Sequence, residues 1–512
     1  MKSALMRHLC ALALAAAALL TQTLAPDATA SAAAPQRRQS TSAAARQQRQ
    51  TRPAPSAATT APAQAATATA FSPSPLANRV LANGLEVIVL EDHSVPLVTV
   101  ELAVKNGSYT EPPEYNGLSH LYEHMFFKSA RALLMRDEYI RTIDTLGFVW
   151  NGETHEELVN YYFTTTTPNF GVAMRFMRDS ARDPVFVERL FEQERQVVIG
   201  ELQRHESNPF GYLGLEMNRR LFYKFPSRKT PGGSRQTVAA ATTDMMRTIQ
   251  QRYYVPNNSA LIVAGDVTPA EAFAMAESLF GDWPRAEDPF VKFPLVEHPP
   301  LEKSEGHVIR QPVQNVIVQL GWHGPSIGKD NAGTYAADVL LFILRQPDSR
   351  WQRALVDTGL VTGVDMSYLT QRNVGPITVT AQTTADKARA AVRAIHAELG
   401  KLDDPDYFTD EELENAKTLL EATELYSREK TSEYSHTLSF WWASTGLDYF
   451  RNYHQNLRRI SRADIRNYVT TYIQGKPHVG LALMSEESAR ASGLTPEDLV
   501  GQAPKAAGAS GR

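Results

Sequence analysis

The pattern that most constrains this chain is one that occurs twice. Asp244 leads a helical stretch that ends at Tyr253-Tyr254 and runs on into the apolar strand Ala260–Ala264. Asp464 leads a second, which ends near Tyr472 and runs on into Val479–Leu483. The two helix–strand pairs lie about 220 residues apart. A repeat at that distance points to one α+β unit present in duplicate, each copy an α/β sandwich. Pro284–Pro300, rich in proline and charge, falls between the copies. The expected organisation is a first domain over 71–290, a linker over 291–305 and a homologous second domain over 306–501. At about 100–200 residues per domain, 512 residues accommodate both.

Local signals agree. Leu85–Leu90 and Val95–Val104 are β-rich runs joined by Glu91-Asp92-His93-Ser94, which predicts a hairpin or meander. Thr268-Pro269-Ala270-Glu271 is a capping box with proline at the first helical position, followed by apolar periodicity to Phe280. Thr409 and Glu412 repeat the box ahead of a helix expected to run to about Lys430.

The flanks differ in composition. Lys2 and Arg7 precede the apolar run Leu9–Leu20, and Ala28-Thr29-Ala30 offers a small-residue cleavage site, so 1–30 reads as a secretory signal peptide. A retained anchor is the alternative, although the run is shorter than the roughly 17–25 residues a span needs. Residues 31–70 contain no Leu, Ile, Val, Met or aromatic residue and are expected to be a disordered linker; 502–512 reads as a disordered tail. Cys10, the one cysteine, sits in the leader, so the exported chain has no disulfide, thiol nucleophile or cysteine-ligated metal. Residues 1–70 carry seven basic side chains and one acid, leaving 45 basic and 55 acidic residues and a charge of −10 on the rest. That balance argues against a nucleic-acid partner. The expectation is a periplasmic or secreted protein with no stable membrane span once the signal is removed.

The chemistry is concentrated in Gly117-Leu118-Ser119-His120-Leu121-Tyr122-Glu123-His124-Met125. Leu118, Leu121, Met125 and Phe126 fit helical spacing, which stacks His120 and His124 one turn apart on one face. Glu123 borders that face and is placed to take a proton from a water at the metal. The order is H-x-x-E-H, the inverse of H-E-x-x-H. Two neutral imidazoles and a carboxylate suit Zn²⁺. The same residues also fit two surface histidines and a salt-bridging glutamate on an ordinary helix. A third ligand must come from elsewhere, and Glu192–Glu201 offers Glu194 and Glu201, two turns apart on one face. A solvated acidic face is the plain alternative, although Val197, Val198 and Ile199 argue for burial.

With these motifs the chain resembles the pitrilysin/insulinase family of zinc metallopeptidases, in the short two-domain form close to mitochondrial processing peptidase and its bacterial relatives. That family carries H-x-x-E-H and, some seventy-odd residues later, a zinc-binding glutamate; here Glu201 follows His124 by 77. Asn151-Gly152-Glu153-Thr154 through Tyr161 is similar to the family's N-A-x-T-x-x-D-x-T-x-Y strand, with Gly152, Glu157 and Val159 as departures. Tyr253–Asn258 with Val263–Asp266 resembles the run that closes the first domain, and Gly446–Tyr449 with Ile460–Ile473 its counterpart in the second.

The resemblance implies that His120, His124 and Glu201 bind zinc, that Glu123 is the general base, and that Glu194 supports the site without binding metal. It also implies extended peptide substrates laid along an edge strand at Asn151, Gly152, Glu153 and Thr154, in a chamber between domains or between this chain and a partner. A non-catalytic scaffold or peptide-binding module of the same fold is the competing class; the complete ligand set and Glu123 weigh against it. His155 reads as a strand or substrate-side residue rather than a ligand, His93, His205 and His323 as structural, and Phe440-Trp441-Trp442 as core.

One expected part is missing. Complete family members carry, in the second domain, an Arg and a Tyr seven residues on that stabilise the oxyanion. In Ser349–Thr362, Val356 stands at the place of the Arg and Thr362 near that of the Tyr, and Arg345, Arg350 and Arg353 are followed at that distance by Gln352, Asp357 and Leu360. Either Arg353 or Tyr368 serves in a shifted register, or this chain is the zinc-bearing subunit of a heterodimer whose zinc-less homologous partner supplies the pair.

Overall fold

Runs of Val, Ile, Leu and Ala that are apolar on both faces dictate two sheets that must each be covered twice. The computed structural model describes residues 76–129 and 145–501, and the expected leader, linker and tail lie outside them. The first sheet holds β1 (Leu76–Val80), β2 (Glu86–Glu91), β3 (Leu97–Val104), β4 (Val149–Thr154), β5 (Val159–Thr166) and β6 (Ser259–Gly265), in the order β1-β2-β6-β3-β5-β4. The second holds β7 (Glu305–Arg310), β8 (Val316–His323), β9 (Gly363–Tyr368), β10 (Pro376–Thr383) and β11 (Val479–Met484), in the order β7-β11-β8-β10-β9.

The duplication is visible strand for strand. β6 runs parallel to β2 and antiparallel to β3, as β11 runs parallel to β7 and antiparallel to β8. β5 and β10 then pair antiparallel with β4 and β9. β1 is the one addition in the first half. The expected hairpin between β2 and β3 does not form, because β6 lies between them. Every residue of β6 is buried, and a fully buried strand must pair its backbone on both sides. The Glu91–Pro96 link instead wraps the end of β6, with Asp92 N–H donating to the Gly265 carbonyl at 2.9 Å.

The longer helices are α1 (Leu118–Phe126), α2 (Phe170–Arg182), α3 (Glu188–Ser207), α4 (Pro209–Leu221), α5 (Thr243–Tyr253), α6 (Pro269–Phe280), α7 (Asn331–Leu344), α8 (Ala388–Leu399), α9 (Asp410–Ser427), α10 (Thr431–Ser444), α11 (Leu447–Arg459) and α12 (Arg462–Tyr472). Both expected capping boxes form, at Thr268–Glu271 and Thr409–Glu412. α9 ends at Ser427, and α10 starts as a separate helix at Thr431. None of the described helices is long and apolar enough to cross a membrane.

Each half covers one face of its own sheet. Val87, Val89, Val100, Leu102, Tyr161 and Val263 pack on helices of the first half, and Val318, Leu320, Val379 and Ala482 on helices of the second. The opposite faces are covered crosswise. Ile88, Ala103, Ala260, Ile262 and Ala264 receive Tyr434, Leu438 and Trp442 of α10 from the second half. Ile317, Leu481 and Leu483 receive Leu213, Met217 and Leu221 of α4 from the first. Gly321 permits that approach: a Cβ there would stand 2.5 Å from the Met217 sulfur. Phe440 and Trp442 therefore belong to a core shared by both halves, whereas Trp441 packs on the second half's own core; together the halves form one compact unit.

A charge is buried in the α10 interface. Glu101 on β3 has no exposed surface, and its carboxylate accepts from Asn160 (2.7 Å), Ser435 (2.7 Å) and His436 Nδ1 (2.7 Å). Burial alone would lower the His436 pKa, but Glu101, with Glu153 and Glu433 beside it, pushes it up from 6.5 to about 9. A pKa raised by folding stabilises fully below the unfolded value and ceases to do so above the folded one. The stability difference between wild type and His436→Gln in chemical denaturation should therefore be largest between pH 4.5 and 6.5 and close as pH passes about 9.

Candidate metal centre

α1 begins where Gly117 turns through a left-handed conformation (φ 91°) and has no capping side chain of its own. Glu111 takes that place: its buried carboxylate accepts from Gly117 N–H at 2.8 Å and Ser119 N–H at 2.6 Å, satisfying donors that a helix start leaves open. Burial nevertheless pushes its carboxyl up to about 7. The apolar side of α1 is fixed by Leu118, Leu121, Tyr122, Met125 and Phe126, so His120, Glu123 and His124 share the remaining side.

α3 brings the acids to them. Glu201 Oε2 lies 3.3 Å from His124 Nε2 and 3.6 Å from His120 Nε2. The candidate ligand atoms of His120, His124 and Glu201 all lie within 4.8 Å of one another, and among the described residues no other group of three or more such side chains does so. Glu194 stands behind, with Oε2 3.3 Å from His124 Nδ1 and Oε1 paired with Lys128 Nζ. A proton on Nδ1 donated to Glu194 leaves Nε2 free to face Glu201. Burial works against the Glu194 charge, but His124 and Lys128 hold its pKa below the usual value. Burial and the charge at His124 push His120 down to about 4, which keeps it a neutral donor. The carboxylates of Glu194, Glu201 and Glu123 outweigh burial and favour a positive charge at His124. A site with this balance fits a divalent cation held by two imidazoles and a carboxylate.

Glu123 turns toward β4. Thr154 Oγ1 donates to Glu123 Oε2 at 2.8 Å, and a Cβ at Gly152 would stand 2.8 Å from Glu123 Cγ. Burial, the largest influence, raises the Glu123 pKa. Among the described strands β4 pairs only with β5, at one edge of the sheet. Strand alternation divides the expected substrate residues. Gly152 and Thr154 face Glu123, whereas Asn151 and Glu153 point to the other face, toward Tyr162 and His155.

His155 stays outside the ligand group and pairs with Glu153 at 3.4 Å. His93 bridges Glu91 and Asp266, and His323 Nε2 meets the Leu221 carbonyl at 2.7 Å. Thr362 donates to the Gln382 carbonyl and Tyr368 to the Pro325 carbonyl at 3.0 Å, while Arg353 is exposed. Among the described residues, the hydrogen bonds and ion pairs of His120, Glu123, His124 and Glu201 all go to the first half. The sequence reading missed Glu111, Lys128 and the Thr154 contact. Lys128 alone had a local signal, one turn beyond His124.

Residues 86–223 match the family model for insulinase (peptidase family M16), and residues 240–420 match the peptidase M16 inactive domain. The chain belongs to peptidase family M16. An uncharacterized zinc protease of Rickettsia felis is 24% identical over 368 residues, 72% of this chain and 87% of that relative. The structure of a protease from Helicobacter pylori shares the fold with a TM-score of 0.73 at 22% identity, covering 80% of this chain and 99% of that one. The first half of the periplasmic protease PqqL from Escherichia coli does so with a TM-score of 0.68 at 18% identity, covering 83% and 95%. Against whole PqqL, the match spans 49% of that chain.

Metal analysis of the purified protein should find one zinc per chain, lost in a His120→Ala/His124→Ala double variant. Glu194→Gln should retain most of the zinc yet lose about 10–100-fold in activity, the outcome expected if the carboxylate beside His124 Nδ1 serves to orient that ring.

Proposed function

We propose that this chain is a zinc-dependent endopeptidase acting on extended peptides or unfolded segments. The observation that carries the reading is the His120–His124–Glu201 group beside Glu123 and the open edge of β4. His120, His124 and Glu201 would hold the zinc, which would supply Lewis acidity and make water acidic enough to be activated near neutral pH. Glu123 accepts the proton of the attacking water and passes it to the leaving amine. Thr154 holds Glu123 in place for that transfer, and Glu194 with Lys128 fixes the ring of His124. β4 offers unpaired backbone to which a peptide adds as a further strand, which selects extended over compact substrates.

Glu123→Gln tests this directly. The variant should keep its zinc and lose about 10²–10⁴-fold in turnover of a peptide library. Unchanged turnover would remove Glu123 from the reaction.

We further propose that the working form is a heterodimer, with a zinc-less homologous chain supplying an Arg/Tyr pair. Val356 at the expected place of the Arg with Thr362 near that of the Tyr, and the absence of a second-half polar contact to the His120–His124–Glu201 group among the described residues, support it. The correspondence of this chain to one half of PqqL is a fold-level parallel. The missing pair also favours a second reading, a zinc-bearing peptide binder without turnover. Purified alone, the chain should cut peptides poorly, and adding the partner should raise turnover about 10²-fold or more, as expected for a restored oxyanion donor. Full activity of the isolated chain would refute the heterodimer, and peptide binding without cleavage in both preparations would favour the binder.

A further inference from the structure

Two charged side chains of the first half, Glu157 and Lys229, are each only 5% exposed. Neither takes part in the zinc site. Both terminate on one short loop of the second half, between β9 and β10. Glu157 Oε2 accepts from Arg372 N–H at 2.9 Å and Oε1 from Asn373 N–H at 3.1 Å. Lys229 Nζ donates to the carbonyls of Asn373 at 2.6 Å and Val374 at 2.9 Å, and to the side-chain oxygen of Gln371. The carboxylate thus takes the loop's donors and the ammonium its acceptors. Charge-assisted bonds of this kind are the strong ones, and losing one partner strands a buried charge. Val374, in the same loop, is the one described non-glycine residue with positive φ, at 57°, a conformation a β-branched residue keeps only when its surroundings impose it.

The position of Glu157 gives the arrangement a consequence. It lies three residues beyond Thr154, in the turn joining β4 to β5, which His155 N–H closes on the Leu158 carbonyl at 2.8 Å. Tyr109 N–H holds the same turn from the first half through the Glu156 carbonyl at 3.0 Å. On the second-half side, Arg372 Nε donates to the Ser444 carbonyl at 2.7 Å, tying the loop to the end of α10. An edge strand has ladder bonds on one side only, so its end is set by whatever grips the turn.

We propose that Glu157 and Lys229 clamp the 371–374 backbone and thereby make the second half position the β4 edge on which peptide is bound. The proposal rests on the peptidase reading for its effect on catalysis, but the clamp itself does not. Glu157 and Lys229 are positioning residues and touch no substrate.

The test uses the zinc-loaded full chain with Glu157→Gln and, separately, Lys229→Met. Amide hydrogen exchange of the β4 residues should accelerate by about tenfold or more in each variant, the effect expected from losing one charge-assisted bond, while β2 and β6 keep wild-type protection. Zinc content should not change. KM for long peptides should rise more than kcat falls. The double variant should be little worse than the poorer single variant, because both groups hold one loop. Unchanged β4 exchange in both variants would overturn the clamp, as would acceleration shared equally by β6, which marks general destabilisation. Should Glu157→Gln fail to fold, Lys229→Met decides. Wild-type protein that cuts no peptide would sink the peptidase reading and leave the exchange experiment to judge the clamp.

Discussion

Two sheets that are apolar on both faces cannot be buried by helices packed on one face only, and the reciprocal loan of α4 and α10 resolves this. The helices occupy equivalent places in the two copies, each following the helix that succeeds the sheet's own covering helix. α4 lies on the second sheet through Leu213, Met217 and Leu221, and α10 lies on the first through Tyr434, Leu438 and Trp442. Small residues, Ala103, Ala260 and Ala264 on one side and Gly321 on the other, let the helices approach. The consequence is that neither half has a complete core without its twin. Polar contacts follow the same exchange: Glu101 meets Ser435 and His436, and Glu86 accepts from the Trp442 indole at 2.8 Å.

Within that frame the two copies have diverged where it matters chemically. α7 stands between β8 and β9 as α1 stands between β3 and β4, and α9 answers α3. In the first copy the facing sides carry two histidines and two glutamates brought within reach of one another. In the second, α9 turns Leu413, Ala416, Lys417 and Leu420 inward, and α7 buries Tyr335, Ala337, Leu340 and Leu341. Mostly apolar packing stands there in place of the His-His-Glu group, which agrees with the match of residues 240–420 to an inactive M16 domain. The second copy then contributes by covering the first sheet and by gripping the turn after β4.

Much of the site was legible because its signals are local. His120 and His124 are fixed one turn apart by helical geometry alone, and Glu194 and Glu201 by two turns of the same geometry. Both capping boxes carry their own partners within four residues, so they formed where Thr268 and Thr409 indicated. The duplicated helix–strand pair, too, needed only the repeat of one pattern. The β2–β3 hairpin was misread because adjacency in sequence says nothing of a strand inserted from 150 or more residues away.

The sequence by itself thus determined the family, the candidate ligand group that the structure brings together and the presence of two copies, resting on spacing within a helix, recurrence along the chain and motif resemblance. Only the tertiary structure decided that Glu111 caps the helix bearing His120 and His124, that Gly152 and Thr154 rather than Asn151 and Glu153 face Glu123, and that Glu157 and Lys229 reach the 371–374 loop. Those contacts join residues separated by a short turn, by 31 positions or by more than a hundred. Their partners are largely backbone groups, which every residue carries, so nothing in the identity of Arg372, Asn373 or Gly117 announces the bond. A backbone amide acquires a particular acceptor only when the fold has placed it.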